Sequence, residues 1–499
     1  MKKILIPVLL LSTLNGFAQK KAKPDAFAKT ITPQDLRIRL YIVAGPEMEG
    51  RETATEGQRK AAAYIEGQFR SMGLQPGNNG SYQLYYDVYQ DSLVDAGLEV
   101  NGARFQMDRD FNASSANINA TMKFSEVVFV GANAADSLKN TNLSGKVVML
   151  IGSLPQGRGQ MGGVLGTLYS KGVAAILSVA NSYPRTTPAA RKGNQILTSF
   201  RRNILPQQFT ISENVARAIA GNDFDNAKAN PTAIKIYTAN ITLDVQKTTI
   251  TTQSSNVIAV LPGTDLKDQY MFVTAHYDHL GKRGDSVIYY GADDDGSGTV
   301  SVLEIAEAFA KAKAAGHGPR RTMVFMTVSG EEKGLWGSDY YSSHPVFPLA
   351  QTTADLNIDM IGRTDSSRKK GDSSNYVYVV GDDKLSSDLR PISETVNNKY
   401  TKMELDYKFN DPNDRNRIYY RSDHYNFAKK GVPIIFYYDG MLGADYHRPT
   451  DTPDKINYTL LAKRAQLVFY TAWEMANRND QLKRDIPLDN NVFNRPSNP

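Results

Sequence analysis

The chain has 499 residues, more than one typical domain holds, with 41% hydrophobic and 22% charged residues. That balance supports a sizeable globular core and excludes collagenous, coiled-coil and largely disordered classes. A Lys+Arg count of 58 against 52 Asp+Glu leaves a net charge of +6 with no dense basic run, which argues against a nucleic-acid partner, and the absence of Cys excludes disulfides, thiolate metal sites and cysteine nucleophiles.

Met1-Lys2-Lys3, the apolar run Ile4 to Leu11 and the small residue Ala18 before Gln19 read as a secretory signal over 1–18. The run is shorter than the ~20 apolar residues a bilayer crossing needs. The expectation is an exported protein, periplasmic or extracellular, with no stable membrane insertion. From Thr32 to Gln90 the pattern gives a helix pair, with Ala61, Ala62, Ile65 and Phe69 on one helical face. From Ala96 to Gln246 the texture changes to short β-like runs, such as Met122 to Val130 and Lys146 to Ile151. A Gly-rich stretch, Gly157 to Gly163, precedes a helical run, Val164 to Tyr169, and a strand over Gly172 to Leu177. From Asn256 onward strands and helices alternate. Tyr270–Ala275, Thr322–Val328, Leu356–Ile361, Val377–Val380 and Val432–Tyr438 read as strands, and Ser297–Ala314 and Leu460–Ala476 as helices. Such alternation predicts an α/β fold with a mixed, mostly parallel sheet and helices on both faces. The predicted domains are 19–95 with 247–485 as one discontinuous unit, 96–246 as an insertion, and 486–499 as a polar tail.

The six histidines are His276, His279, His317, His344, His424 and His447. Four of them fall in short segments that also carry carboxylates. The segments that matter are Thr274 to Gly281, Gly291 to Gly298, Ser329 to Gly334, Asn357 to Gly362 and Asp445 to Thr452. Each could sit at the carboxyl end of a strand, where α/β folds place their sites. Carboxylates gathered that closely repel one another, and burial makes the repulsion worse. Divalent cations resolve the conflict, and imidazole with carboxylate is an ordinary zinc ligand set that needs no Cys. A free carboxylate beside the ions could take a proton from an attacking water. The doublet Glu331-Glu332 can supply one ligand and one such base. Singly, each segment is as readily a polar turn, a helix cap or solvated surface; the weight lies in all five together. The Gly-rich stretch lacks the Gly-Lys-Ser/Thr of a phosphate loop, and no Gly-x-Ser-x-Gly is present.

In their order and residue types the five segments resemble the two-zinc aminopeptidase family, whose relatives include glutamate carboxypeptidase and the transferrin receptor. The resemblance covers roughly Thr32–Gln90 and Lys247–Arg478. The stretch 96–246 is more loosely similar to the protease-associated domain that many members insert there. The resemblance implies two Zn²⁺ per chain, one held by His276 and Asp359 and the other by Glu332 and His447, with Asp294 bridging. It implies Glu331 as general base, Asp278 as the partner that fixes His276, and Tyr419 or Tyr420 as donor to the oxyanion. It assigns His279 and His424 only supporting or structural positions. The function it implies is N-terminal hydrolysis of peptide substrates. The other readings are a carboxypeptidase of the glutamate carboxypeptidase type, which would want clustered arginines such as Arg415, Arg417, Arg421 and Arg448, a one-zinc glutaminyl cyclase, and a receptor-like binding protein without catalysis. Oligomeric state is left open.

Overall fold

The computed structural model describes residues 24–151, 164–199, 205–443 and 445–488. The predicted signal 1–18, the Gly-rich stretch 157–163 and all but the first residues of the predicted tail lie outside them. The described chain divides into two compact units, 1–84 with 255–499, and 85–254.

The larger unit is built on a mixed sheet whose strands run in the order Glu404–Asp406, Tyr376–Val380, Ile434–Tyr438, Thr352–Ile358, Leu266–His276, Arg321–Val328 and the end of Ile234–Leu261. Four central strands are parallel: Leu266–His276 pairs so with Arg321–Val328 and Thr352–Ile358, and the latter with Ile434–Tyr438. Antiparallel pairs enter at Val257–Leu261 against Met323–Thr327 and at Tyr378–Val380 against Phe436–Tyr438. Three of the central strands are buried along their whole length, and Leu266–His276 is buried from Met271 on. Their residues therefore need not alternate polar with apolar, and they divide instead between two apolar layers. Met271, Val273, Met323, Phe325, Leu356 and Ile435 face one layer, while Phe272, Val324, Met326, Ile434 and Phe436 face the other.

The first layer is closed by the helices Pro33–Val43, Glu56–Ser71, Gly298–Ala314 and Tyr458–Asn477. Thr32 caps the first of these, its hydroxyl accepting Asp35 N–H, with Pro33 at the first helical position. Phe309 and Phe469 meet across two of these helices with ring centroids 4.9 Å apart. The second layer receives Tyr341 and Phe427 from the short helices Trp336–Ser343 and His424–Ala428. The expected fold class is thus observed: a mixed, mostly parallel sheet with helices on both faces.

The smaller unit has its own core, in which Phe111, Val127, Phe129, Met149, Leu177 and Phe209 are buried. Its parallel strands Ala120–Val130, Val147–Ile151, Ala175–Val179 and Gln207–Ile211 lie side by side. Phe111–Ala113 closes one edge antiparallel to Gln207–Ile211, and Ile234–Val245 pairs antiparallel with Ala120–Val130 at the other. The chain leaves the larger unit within the strand Gln83–Val100 and returns to it within Ile234–Leu261, so the division falls at 84/85 and 254/255.

Candidate metal centre and cleft

Four parallel strands end side by side, and each delivers a side chain that can hold a cation. His276 is the last residue of Leu266–His276, Glu331 and Glu332 follow Arg321–Val328, Asp359 directly follows Thr352–Ile358, and His447 lies in the turns after Ile434–Tyr438. Asp294 comes from the wide turn Ala292–Ser297 that opens the helix Gly298–Ala314. The predicted strand over Leu356–Ile361 stops earlier, at Ile358: Asp359 N–H still donates to Tyr437 O at 3.2 Å, and Met360 then takes a left-handed φ of 56°.

The structure brings all five predicted ligands together. Asp294 reaches in two directions, with Oδ1 3.2 Å from His276 Nε2 and Oδ2 3.2 Å from His447 Nε2. Asp359 Oδ1 stands 3.5 Å from His276 Nε2, and Glu332 Oε2 stands 3.0 Å from His447 Nε2. Glu331 Oε2 is 3.9 Å from His276 Nε2, at the edge of the cluster. Burial opposes a charge on His276, but Asp359, Glu331, Asp278 and Asp294 outweigh it and hold its pKa above the ordinary value. For Asp294 burial raises the pKa, but His276, His447 and His279 prevail and keep it well below the carboxylate range. Glu331 goes the other way: burial, with Glu332 and Asp359 nearby, pushes its carboxyl up.

These close approaches are poorly directed as hydrogen bonds. His276 Nε2, His279 Nε2, Asp294 Oδ2, Asp295 Oδ2 and Glu332 Oε1 are all buried without a hydrogen-bond partner. Buried polar atoms are rarely left so, and several converging on one spot fit ligation of cations. Two sets place their ligand atoms within 4.8 Å of one another: His276, Asp295 and Asp359, and His279, Asp294 and Glu332. His279 thus stands beside the predicted ligands, in the supporting position expected of it. Its Nδ1 lies 2.8 Å from Glu332 Oε1. The segment His276-Tyr277-Asp278-His279 carried that signal in its second imidazole, and Asp295 was equally visible as the third member of the Asp run. Asp295 Oδ1 accepts Gly298 N–H and Met360 N–H, which ties the Asp turn to the Asp359 turn.

Asp278 is buried beneath His276. Its Oδ1 accepts Glu331 N–H at 3.2 Å and stands 3.7 Å from His276 Nδ1, while Oδ2 accepts the Thr53 hydroxyl at 2.7 Å. Asp451 accepts the backbone N–H groups of Asp293 and Asp294 and so fixes the turn that presents Asp294.

Beside the cluster opens a cleft of ≈ 330 Å³, solvent at its mouth included, with Asp294, Glu331 and Asp359 on its floor. Ile418, Phe436, Tyr438, Leu442 and Tyr446 wall it, with Arg421 at one side. Arg421 Nη2 donates to the Tyr446 hydroxyl at 2.9 Å. Tyr419 and Tyr420 do not line it. The short 3₁₀ turn Ile418–Tyr420 aims successive side chains about 120° apart. Ile418 faces the cleft, and Tyr419 turns into the apolar layer, its ring centroid 5.7 Å from that of His424. The tyrosines facing the cleft are Tyr438 and Tyr446, which no pattern near Ser422-Asp423-His424 marked.

His424 is structural. Its Nε2 faces Tyr419 O at 2.8 Å and its ring stacks on Phe436 at 4.6 Å. Burial pushes its pKa from 6.5 down to about 3, so the folded protein keeps it neutral. The stability this provides is intact above the unfolded value and is lost as pH falls from about 6.5 towards 3, at ~1.4 kcal/mol per pH unit. His424→Phe should reduce the stability lost between pH 6.5 and 5 by about 2 kcal/mol, read by denaturant unfolding at both pH values. An unchanged acid-side loss would place the titrating group elsewhere.

Solved aminopeptidases share this mixed α/β fold. The aminopeptidase from Aneurinibacillus sp. strain AM-1 superposes with a TM-score of 0.54 at 19% identity, covering 94% of this chain and 99% of that one. BSAP, a zinc aminopeptidase from Bacillus subtilis, gives 0.51 at 18% identity, over 92% and 99%. Residues 256–472 match the model of Peptidase family M28. A probable leucine aminopeptidase of Arthroderma otae is 30% identical over 229 residues, 45% of this chain and 58% of that protein. One of Trichophyton verrucosum is 31% identical over 226 residues, 44% and 57%. The chain thus spans somewhat over half the length of these curated relatives.

Proposed function

We propose that the protein is an exported aminopeptidase that works with two zinc ions. The observation that carries this reading is the Asp294 carboxylate, whose two oxygens face His276 on one side and His447 on the other. His276 and Asp359 would hold one ion, Glu332 and His447 the other, and Asp294 both; Asp295 stands close to the first set and His279 to the second. When bound, zinc polarises a scissile carbonyl and makes water a stronger acid.

The chain's own residues do the rest. Glu331 takes the proton of the attacking water and passes it to the leaving amine, and its raised pKa suits a group that must both accept and return it. Asp278 orients His276, whose Nδ1 faces the Asp278 backbone carbonyl at 3.1 Å, and its carboxylate anchors Glu331 through the Glu331 N–H. The oxyanion falls to a group that lines the cleft, where Tyr446 and Arg421 form a hydrogen-bonded pair and Tyr438 stands nearby. The apolar walls Ile418, Phe436 and Leu442 suit an apolar N-terminal side chain, in keeping with relatives described as probable leucine aminopeptidases. Of the four arginines that a carboxypeptidase would cluster, only Arg421 lines the cleft, which supports action at N-termini. The unit 85–254 is read as the protease-associated domain, and the N-terminal pattern Lys2-Lys3 with Ile4–Leu11 as the export signal. No helix among the described residues is long and apolar enough to cross a membrane.

The test combines metal analysis with a substrate panel. Two zinc per chain with hydrolysis of free-amine leucyl and methionyl amides, and none of N-blocked peptides, is expected. Chelation should abolish turnover and lower Tm, since metal at about 100 times its Kd adds ~2.7 kcal/mol to the folded state. Full activity after exhaustive chelation would overturn the reading; one zinc with cyclisation of N-terminal Gln would replace it.

A further inference from the structure

The segment Gly50-Arg51-Glu52-Thr53 lies outside the stretch that matches the peptidase family, yet it packs against the loops that carry the candidate ligands. Arg51 is 0% exposed, a long way from the usual solvent position of a guanidinium. It donates to four backbone carbonyls: Nε to Tyr277 O at 2.7 Å, Nη1 to Val43 O and Tyr290 O at 2.8 Å, and Nη2 to Gly291 O at 2.9 Å. Tyr277 sits between His276 and Asp278. Tyr290 and Gly291 lead into the Asp294 turn. One planar cation therefore ties together the two loops that carry His276, His279 and Asp294, with a fixed fork that only Arg provides.

The neighbouring residues grip the same loops. Arg51 O accepts His279 N–H, and Gly50 O accepts Gly281 N–H at 2.9 Å. Thr53 donates its hydroxyl to Asp278 Oδ2, and Glu52 receives Lys333 Nζ at 2.7 Å, next to Glu332. Gly50 has a φ of 69°, and a Cβ there would stand 2.4 Å from Gly281 O and 2.5 Å from Tyr289 O. Burial lowers the Arg51 pKa to about 10, with Asp278, Asp451, Asp295 and Asp294 opposing, so the group is charged at neutral pH. It faces four carboxylates that would otherwise repel.

We propose that Gly50–Thr53 is a positioning clamp, in which Arg51 and Thr53 hold the two ligand-bearing loops in receiving geometry before metal arrives. The proposal rests on the metal-site reading above. Without Arg51, the Val43, Tyr277 and Tyr290 carbonyls lose this donor, Gly291 O keeps only Gly296 N–H, and the carboxylates lose their cation, so the loops should reorganise each time an ion binds.

The test measures zinc dissociation constants of the full chain by competition with a chromogenic chelator, and thermal unfolding of the chelator-treated protein. Arg51→Met should bind zinc about 10–100-fold more weakly, the usual cost of losing support behind a ligand, and Arg51→Lys should recover only part. Thr53→Val, which keeps shape and removes the hydroxyl, should weaken zinc about 10-fold, and Thr53→Ser should restore it. A merely structural role would lower the Tm of the metal-free protein and leave zinc affinity intact. Wild-type zinc affinity in a folded Arg51→Met overturns the clamp. If Arg51→Met does not fold, unchanged zinc affinity in Thr53→Val overturns it instead. A wild-type chain that takes up no zinc overturns the metal reading, and the clamp with it.

Discussion

Glu331→Gln should take up as much zinc as the wild type and lose about 10²–10⁴ in kcat. The substitution keeps shape and burial and removes only the capacity to accept a proton. The side chain is placed by its backbone, whose N–H donates to Asp278 Oδ1, and this bond survives the change. The carboxylate stands 3.9 Å from His276 Nε2, farther than Asp294 or Asp359. It faces the cleft, where a substrate carbonyl would arrive. A group at the edge of the ligand cluster, open to the cleft and pushed up in pKa by burial, has the position of a base rather than of a ligand. Metal analysis and steady-state kinetics on one preparation decide the matter. Full turnover in the variant would remove Glu331 from the mechanism; loss of metal would make it a ligand.

Asp294→Asn should have the opposite signature, weakening zinc on the order of 100-fold or more at both positions. An amide can offer one oxygen, whereas the structure asks both carboxylate oxygens to act, one towards His276 and one towards His447. The other half of the amide would point hydrogens into the cluster. The turn itself should persist, because Asp451 holds it through the backbone N–H groups of Asp293 and Asp294, and Asp295 through Gly298 and Met360. Asp359→Asn is the control: it should weaken chiefly the position shared with His276. If Asp294→Asn retained two tightly bound ions, the bridging assignment would fall, and Asp295 would be the next candidate.

Much of this was legible in the chain because the central strands are buried on both faces. A run such as Thr322-Met323-Val324-Phe325-Met326-Thr327-Val328 has no solvent side, and the polar residues resume where the sheet stops. Two of the candidate ligand positions stand out for the same reason: His276 ends an apolar strand and Asp359 directly follows one, where a polar side chain has few other tasks. What was hidden depends on contacts remote in sequence. Arg51 reaches carbonyls 226 and 240 residues away, and a carbonyl leaves no mark on the side-chain pattern. Tyr419 was misleading because a 3₁₀ turn rotates neighbouring side chains apart, which spacing from Ser422 cannot reveal. The contact of His279 with Glu332 was likewise hidden, since the two residues are 53 positions apart. The textural changes near 96 and 246 fall inside the long strands Gln83–Val100 and Ile234–Leu261, and continuous strands give composition little to register at a boundary.

The first two long helices have a practical bearing on how this protein can be cut. Leu36, Leu40, Ile65 and Phe69 sit in the same apolar layer as Val273, Phe325 and Leu467. A fragment trimmed to the family-matching residues would lose that cover from one side of its sheet, together with the arginine under its ligand loops. The smallest fragment that keeps this layer whole is therefore a two-segment object, and any replacement for the intervening unit must return the chain from residue 84 to residue 255.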